Sequence, residues 1–370
     1  MRISVLDPGL RHRAGHHFDI DSRVCEALVE SGHDVMLYTS KRVDEKVRSH
    51  LKDICDVRAI FTANPYADAS RIDKIAGSLI SFNQQSQLLA DELRQVVAAD
   101  LVLFPTVFPA HLNACGLAKV SAPVAGCVHV PTAAKDACND IFWRYAMLHL
   151  RSAAVPFRLG VIEPELFIHY QSIALNDFQI ELWPIPHDGC SLKAPKTQLN
   201  KIGFLGHQRG EKVIPEMPGL VNGLLANGYK ILVQDSADLL THQLSGEVER
   251  VGFTEHFAQL IATCDCVVLP YDMDSYKEKG SGVLWEAMAS GVPVVAPLGT
   301  APGRWVSQHQ NGTLFADRTN ASIRSAIDEL SRGFSTYARN AFGVSQSWLA
   351  HHGTLNFCKK VTERANLIGA

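Results

Sequence analysis

The sequence lacks a long hydrophobic run, an excess of basic residues and any cysteine pattern at metal-binding spacing. No uninterrupted apolar stretch reaches the roughly 18 residues of a membrane-spanning helix. The opening MRISVLDPGL turns polar before it could form the apolar core of a secretory leader, so a cytoplasmic protein is expected. A formal net charge of −3 leaves no basic surplus, and no nucleic-acid partner is expected. The nine cysteines (25, 55, 115, 127, 138, 190, 264, 266 and 358) are odd in number and scattered through strand-like and helix-like segments, as reduced thiols are. Cys264 and Cys266 stand one residue apart with no second Cys or His pair at zinc spacing, so no metal is expected. No low-complexity segment or short repeat interrupts the chain.

What is present is a globular composition, 46% hydrophobic and 20% charged, in 370 residues, too many for one ordinary core. Two domains are expected, and with them a cleft. ISVLD (3–7), a loop with glycines at 9 and 15, an amphipathic helix carrying Ile20, Val24, Ala27 and Leu28, Gly32 and DVMLYTS (34–40) read as a β-α-β unit. Apolar runs at 100–105, 123–130 and 181–186 alternate with helical patterns at 83–98 and 140–153. After a polar stretch at 187–200 the pattern restarts with KIGFLG (201–206), a helix to about 227 and YKILVQD (229–235). Further strands are expected within 248–253, 266–270, 293–297 and 313–317, and 335–368 reads as helical. The fold expected is α/β, with two doubly wound Rossmann-like domains at 1–190 and 191–350. A helical tail at 351–370 would return toward the first.

The stretch SGVLWEAMASGVPVV (281–295) combines a helix with a following strand, and it places Glu286 one turn past Ser281 and Gly282. Small residues at a helix N terminus let phosphate approach the unpaired N–H groups there, and a carboxylate one turn on can accept from sugar hydroxyls. Taken singly, Ser281 is equally an N-cap and Glu286 a solvated helix charge. Lys277, Glu278 and Lys279 crowd the loop before it. A second basic cluster, GFLGHQRGEK (203–212), places Arg209 and Lys212 just after a strand, where they could meet a diphosphate or form a solvated turn. The adjacent pairs His16–His17 and His351–His352 point to different sides of an element and make poor metal pairs.

Segment 266–297, with EAMASGVPVVAP and the following Gly299, resembles the C-terminal signature of group 1 nucleotide-sugar glycosyltransferases of the GT-B fold (glycosyltransferase family 4). Segment 201–214 is similar to that family's Gly-loop with Arg and Lys, and GHHFDIDSRVCEALVESGHDV (15–35) to its N-terminal Gly-loop and helix. The resemblance implies that Arg209 and Lys212 neutralise the donor diphosphate. It implies that Ser281 and Gly282, with Val283 and Gly206 beside them, bind the distal phosphate, and that Glu286 holds the ribose. By the same resemblance His129 lies near the transferred sugar, and Gly15 and His16 lie in a loop near the donor phosphates and acceptor. One departure stands out: Glu278 has the spacing of a sugar-contacting carboxylate, but Lys279, Gly280 and Ser281 follow it instead of Gly-x-Gly. Glu278 is that carboxylate or a loop charge.

The activity implied is transfer of a sugar, with retention, from a nucleotide-diphosphate sugar to a hydroxyl of a carbohydrate-type or lipid-linked acceptor, with no cofactor. A GT-B-like epimerase or phosphorylase and a non-catalytic sugar-binding protein remain open. Arg11, His12 and Arg13 beside Leu10 are the one hint of peripheral membrane contact, and a solvated loop is the alternative.

Overall fold

Parallel strands cannot be joined by tight turns, so strands that alternate with helices must return through crossovers and align in one direction. The computed structural model has this architecture twice. It describes the chain except residues 14–15, 64–73, 130–136, 176–177, 191, 207–211, 213, 215, 236–243, 245–246 and 364–370, and except the side chains of 74–78 and 137–139. The chain divides into a first unit, Met1–Pro186 with the residues from Thr354 onward, and a second, His187–Gly353.

The first unit contains, in order, β1 (Arg2–Asp7), α1 (His16–Glu30), β2 (Asp34–Ser40), α2 (Glu45–Lys52), β3 (Asp56–Phe61), α3 (Lys74–Leu93), β4 (Leu101–Phe104), α4 (Pro109–Ala118), β5 (Val124–Val128), α5 (Ala137–Ser152), β6 (Phe157–Val161), α6 (Pro164–Ile173) and β7 (Gln179–Leu182). The second contains β8 (Lys201–Phe204), α7 (Met217–Ala226), β9 (Lys230–Gln234), β10 (Glu249–Val251), α8 (Phe257–Ala262), β11 (Cys266–Val268), α9 (Gly282–Ser290), β12 (Val294–Pro297), α10 (Ala301–His309), β13 (Gly312–Phe315), α11 (Asn320–Arg332) and α12 (Phe334–His351). The last helix, α13 (Thr354–Thr362), belongs to the first unit.

The first sheet has the order β3-β2-β1-β4-β5-β6-β7 and the second β10-β9-β8-β11-β12-β13, every pairing parallel. Helices cover both faces of such sheets, so central strands bury both faces; after Arg2 every residue of β1 is buried. In each sheet the strand order reverses beside the first strand, between β1 and β4 and between β8 and β11. Ligands in open α/β sheets bind in the crevice at such reversals, beyond the carboxyl ends of the strands.

Two strands escaped the pattern expected from sequence. DVRAIF forms the edge strand β3, and FRLGV forms β6 with a charged Arg158 in its middle. ELWPIP was expected as a strand at 181–186, but the ladder runs over Gln179–Leu182, because Pro184 and Pro186 have no N–H to donate. The helix expected at 83–98 spans Lys74–Leu93.

Arg158 earns its buried place by joining the C-terminal helix to the first sheet. Its Nε and Nη2 donate to Glu181 at 3.2 and 3.1 Å, while Nη1 and Nη2 donate to the carbonyls of Val361 and Lys360 at 3.3 and 3.2 Å. A cation on the last carbonyls of a helix satisfies their unpaired oxygens and opposes the dipole. Lys360 Nζ lies 3.0 Å from the same carboxylate. Burial alone would raise the Glu181 carboxyl, but hydrogen bonds from Arg158 and Lys360 outweigh it and hold it below the usual range. On the other side, α13 packs against α1, and Phe357 meets Trp183 edge-on at 5.6 Å.

No helix among the described residues is long and apolar enough to cross a membrane. Leu10, the apolar part of the membrane hint, is fully buried, so it offers nothing to a lipid surface. His12 beside it pairs with Asp44 at 2.8 Å. The eight cysteines with described side chains are free thiols.

Gly160 is where the Trp183 ring crosses the sheet: a Cβ there would lie 1.8 Å from Trp183 Cδ2. Gly160→Ala is expected to displace the indole and lower stability by about 3 kcal/mol, read as a lower urea midpoint by circular dichroism.

Candidate functional site

The carboxyl edge of the first sheet gathers a polar cluster in otherwise apolar surroundings. Asp7 ends β1 and is buried, accepting from Gly9 N–H at 2.7 Å and from His17 Nδ1 at 2.5 Å. An acceptor on Nδ1 sets the tautomer of His17, because an ionised carboxylate has no proton to give. Asp21, one turn further along α1, is wholly buried beside Asp7. Burial would raise the Asp7 carboxyl, but the His17 charge and hydrogen bond, the Asp21 side chain and Gly9 N–H bring it down to about 2. Burial and the Asp7 charge push Asp21 well up, so Asp21 carries the proton of the pair. His111, at the start of α4, is lowered to about 4, first by burial.

The sequence-predicted residues of this unit lie on the same edge. His129 follows β5, and its Nε2–H donates to the Pro105 carbonyl, just past β4, at 2.7 Å. His16 opens α1 instead of sitting in the preceding loop, with its ring 5.9 Å from that of His129. Gly15 lies outside the described residues. Asp7, His17 and Asp21 were missed, because nothing in their spacing from one another shows that a strand end and a helix start will meet.

In the second unit the loops after β8 and β11 meet at the strand-order reversal. Gly206 has φ +92°, a left-handed backbone suited to glycine, and its N–H donates to Gln234 Oε1 at 2.8 Å. A Cβ on Gly206 would lie 2.7 Å from Val283 Cγ2 and 3.4 Å from Lys212 Nζ, so these three residues are neighbours. Lys212 Nζ stands 5.2 Å over the Tyr271 ring. The Tyr271 hydroxyl in turn shares a 3.0 Å hydrogen bond with Ser281 Oγ. Arg209, the other predicted cation of this loop, lies outside the described residues.

Ser281 is the N-cap of α9, its Oγ accepting from Leu284 N–H at 3.3 Å. Its hydroxyl is thus used within the protein, and the anion-binding capacity of this end rests on the first N–H groups, Gly282 and Val283, which lack intrahelical acceptors. Glu286 is buried one turn on, and His187 Nδ1 approaches its Oε1 at 2.9 Å. The helix closes on Gly291 in the left-handed region, φ +72°.

The loop between β11 and α9 is held at several points. Asp272 accepts from the N–H and Oγ of Ser275 at 2.9 and 2.6 Å. Those bonds first, then Arg318, hold its carboxyl below the usual range. Arg318 Nε donates to the Pro270 carbonyl at 3.1 Å, Arg304 binds the Lys277 carbonyl, and Tyr276 stacks on Tyr271 at 4.1 Å. Glu278 is partly exposed and has no hydrogen-bond or ion-pair partner among the described residues. Tyr271, Gln234 and His187 were missed by sequence reasoning; the aromatic pair in YDMDSY was a visible signal for Tyr271, and Gln234 and His187 had none.

The Asp7–Asp21 pair yields opposite expectations for two similar substitutions. The lowered Asp7 contributes stability present above about pH 4 and lost as pH falls toward 2, about 2 kcal/mol. The raised Asp21 contributes stability present below about pH 4 and lost as pH rises. Asp7→Asn should therefore destabilise the protein at pH 7, whereas Asp21→Asn should equal or exceed the unmodified chain there and flatten its profile above pH 4. Urea unfolding at pH 4 and 7 decides.

Residues 225–332 match the family model described as glycosyl transferases group 1. A comparison with curated protein sequences found no match. Among solved structures, the chain is similar to sucrose-phosphate synthase from Thermosynechococcus elongatus, with TM-score 0.69, 14% identity and coverage of 100% of this chain and 99% of that one. It is similar to Anabaena Alr3699/HepE, solved with UDP-glucose, with TM-score 0.65, 15% identity and 100% of both chains covered. A glycosyltransferase from Rickettsia africae aligns with TM-score 0.69 and 12% identity over 99% of this chain and 98% of that one. The second unit thus carries, over 225–332, a match to the group 1 glycosyl transferase model, and the pair of Rossmann-like units has the GT-B-type fold of solved glycosyltransferases.

Proposed function

We propose that the protein transfers a sugar from a nucleotide-diphosphate donor, bound by the second unit, to a hydroxyl of a carbohydrate-type acceptor. The observation that carries this reading is the meeting of Gly206, Lys212, Val283 and the N terminus of α9 at the carboxyl edge of the second sheet, with Glu286 one turn along. Glycine and the helix terminus let a diphosphate come close, and Lys212 brings a positive charge to it. Glu286 would take the ribose hydroxyls. Arg209 joins Lys212 in this reading through the family resemblance.

Charge grows on the diphosphate as the bond to the sugar breaks, so prearranged N–H groups and cations stabilise the transition state more than the ground state. Positioning and electrostatics would supply most of the catalysis, and the reading gives no role to a metal or organic cofactor. One structural neighbour lends support: Alr3699/HepE was solved with UDP-glucose, and with UDP and glucose. Retention of configuration enters from the resemblance alone. His129 and His16, at the corresponding edge of the first unit, are assigned to the sugar and acceptor side.

The test is a thermal-shift screen with UDP, GDP, ADP and TDP, with and without their sugars, on the unmodified chain, Lys212→Ala and Glu286→Gln. One nucleotide is expected to raise the midpoint, because a ligand at a hundred times its Kd adds about 2.7 kcal/mol. Both variants should lose most of that shift. A flat response to every nucleotide, or variants that respond like the unmodified chain, would remove the donor-site assignment.

A further inference from the structure

His187 is the first residue of the second unit, 5% exposed, and it is fixed at three points. Its carbonyl accepts from Trp348 Nε1–H at 2.7 Å. Its ring lies against Trp285, centroids 5.4 Å apart, and so near the start of α9 that a Cβ on Gly282 would come within 3.4 Å of its Cε1. Its Nδ1 is 2.9 Å from Glu286 Oε1. The imidazole therefore bridges the first turn of α9, from Gly282 to Glu286, along the edge to which the proposed nucleotide site was assigned.

Each contact restricts a different freedom. The Trp348 bond holds the backbone, Trp285 and Gly282 limit the ring, and the carboxylate fixes the tautomer by accepting from Nδ1–H. Glu286 gains from this in turn. A glutamate side chain that must be frozen on binding costs ligand affinity, and one already held by a buried partner does not. A bidentate contact to two vicinal hydroxyls also depends on the carboxylate plane, which one hydrogen bond to Oε1 orients.

We infer that His187 is a positioning residue of the nucleotide site: its Nδ1–H holds the Glu286 carboxylate in the orientation that accepts a ribose diol, and thereby sets the preference for ribonucleotides over deoxyribonucleotides. This rests on the donor-site reading above. A site built to bond a hydroxyl rejects the analogue that lacks it, since its buried polar group is then left unsatisfied. The alternative is a plain structural tie between the start of the second unit and α9, which would support folding without affecting which sugar is bound.

The experiment is isothermal titration of the full chain with UDP, GDP and ADP and with their 2′-deoxy counterparts, for the unmodified protein, His187→Ala, His187→Asn and His187→Gln. The unmodified protein is expected to prefer a ribonucleotide by about tenfold or more. His187→Asn keeps an N–H donor at the δ position and should retain that ratio. His187→Gln, which moves the donor one atom outward, and His187→Ala, which removes it, should bring the ratio close to one. Should His187→Ala fail to fold, the Asn and Gln pair carries the decision. Equal ratios in those two variants, or a loss of affinity in His187→Ala that is the same for ribo and deoxy ligands, would show a structural tie and overturn the inference. An unmodified protein that binds nucleotides without preferring ribose overturns the inference alone. One that binds none of the six overturns the donor-site reading with it.

Discussion

The parallel sheet imposes the constraint from which the rest follows. Each strand must be followed by a crossover before the next can pair, so all strand carboxyl ends share one edge, and the helices that leave that edge begin there. Helix beginnings carry unpaired N–H groups and the positive end of the dipole. Where the strand order reverses, adjacent crossovers go to opposite faces and leave a crevice between them. In the second unit the reversal lies between β8 and β11, and the residues that meet there are a left-handed glycine, a lysine and the cap of α9. The fold creates the place, and small side chains keep it open.

The capping of α9 shows how one residue can serve both stability and a site. Ser281 Oγ accepts from Leu284 N–H and also bonds the Tyr271 hydroxyl, so the cap connects the helix start to the preceding loop. With the side chain occupied in this way, the backbone N–H groups beyond it remain the donors suited to an anion. The loop itself is anchored by Arg304, Arg318 and Asp272, which limits the entropy that would otherwise be lost when a ligand binds there. The tyrosine stack beneath Lys212 keeps that cation near the crevice.

The corresponding edge of the first unit places charge in a buried setting. An ionised Asp7 is tolerable there because an imidazole, a backbone N–H and a protonated neighbour all point at it. The histidines at this edge lie near one another but have distinct partners: His17 is bound to Asp7, and His129 to the Pro105 carbonyl. Arg158 solves a related problem on the same sheet, where its guanidinium satisfies both Glu181 and the end of α13. In each case a buried charge is kept by groups distant in sequence.

By itself the sequence determined the two Rossmann-like units, because the alternation of β-branched runs with 3.6-residue periodicity is a local property that each segment carries on its own. It also singled out Ser281, Gly282 and Glu286, since positions one turn apart on a helix are neighbours whatever surrounds them. DVRAIF and FRLGV stayed illegible because an edge position and an internal arginine disguise a strand until its neighbours are known. Only the tertiary structure decided that Leu10 is buried and that Asp7 meets His17 and Asp21. It alone brought His187 to Glu286, a contact across 99 residues of chain. Such pairs depend on where separate elements come to rest, and no periodicity within one segment records that.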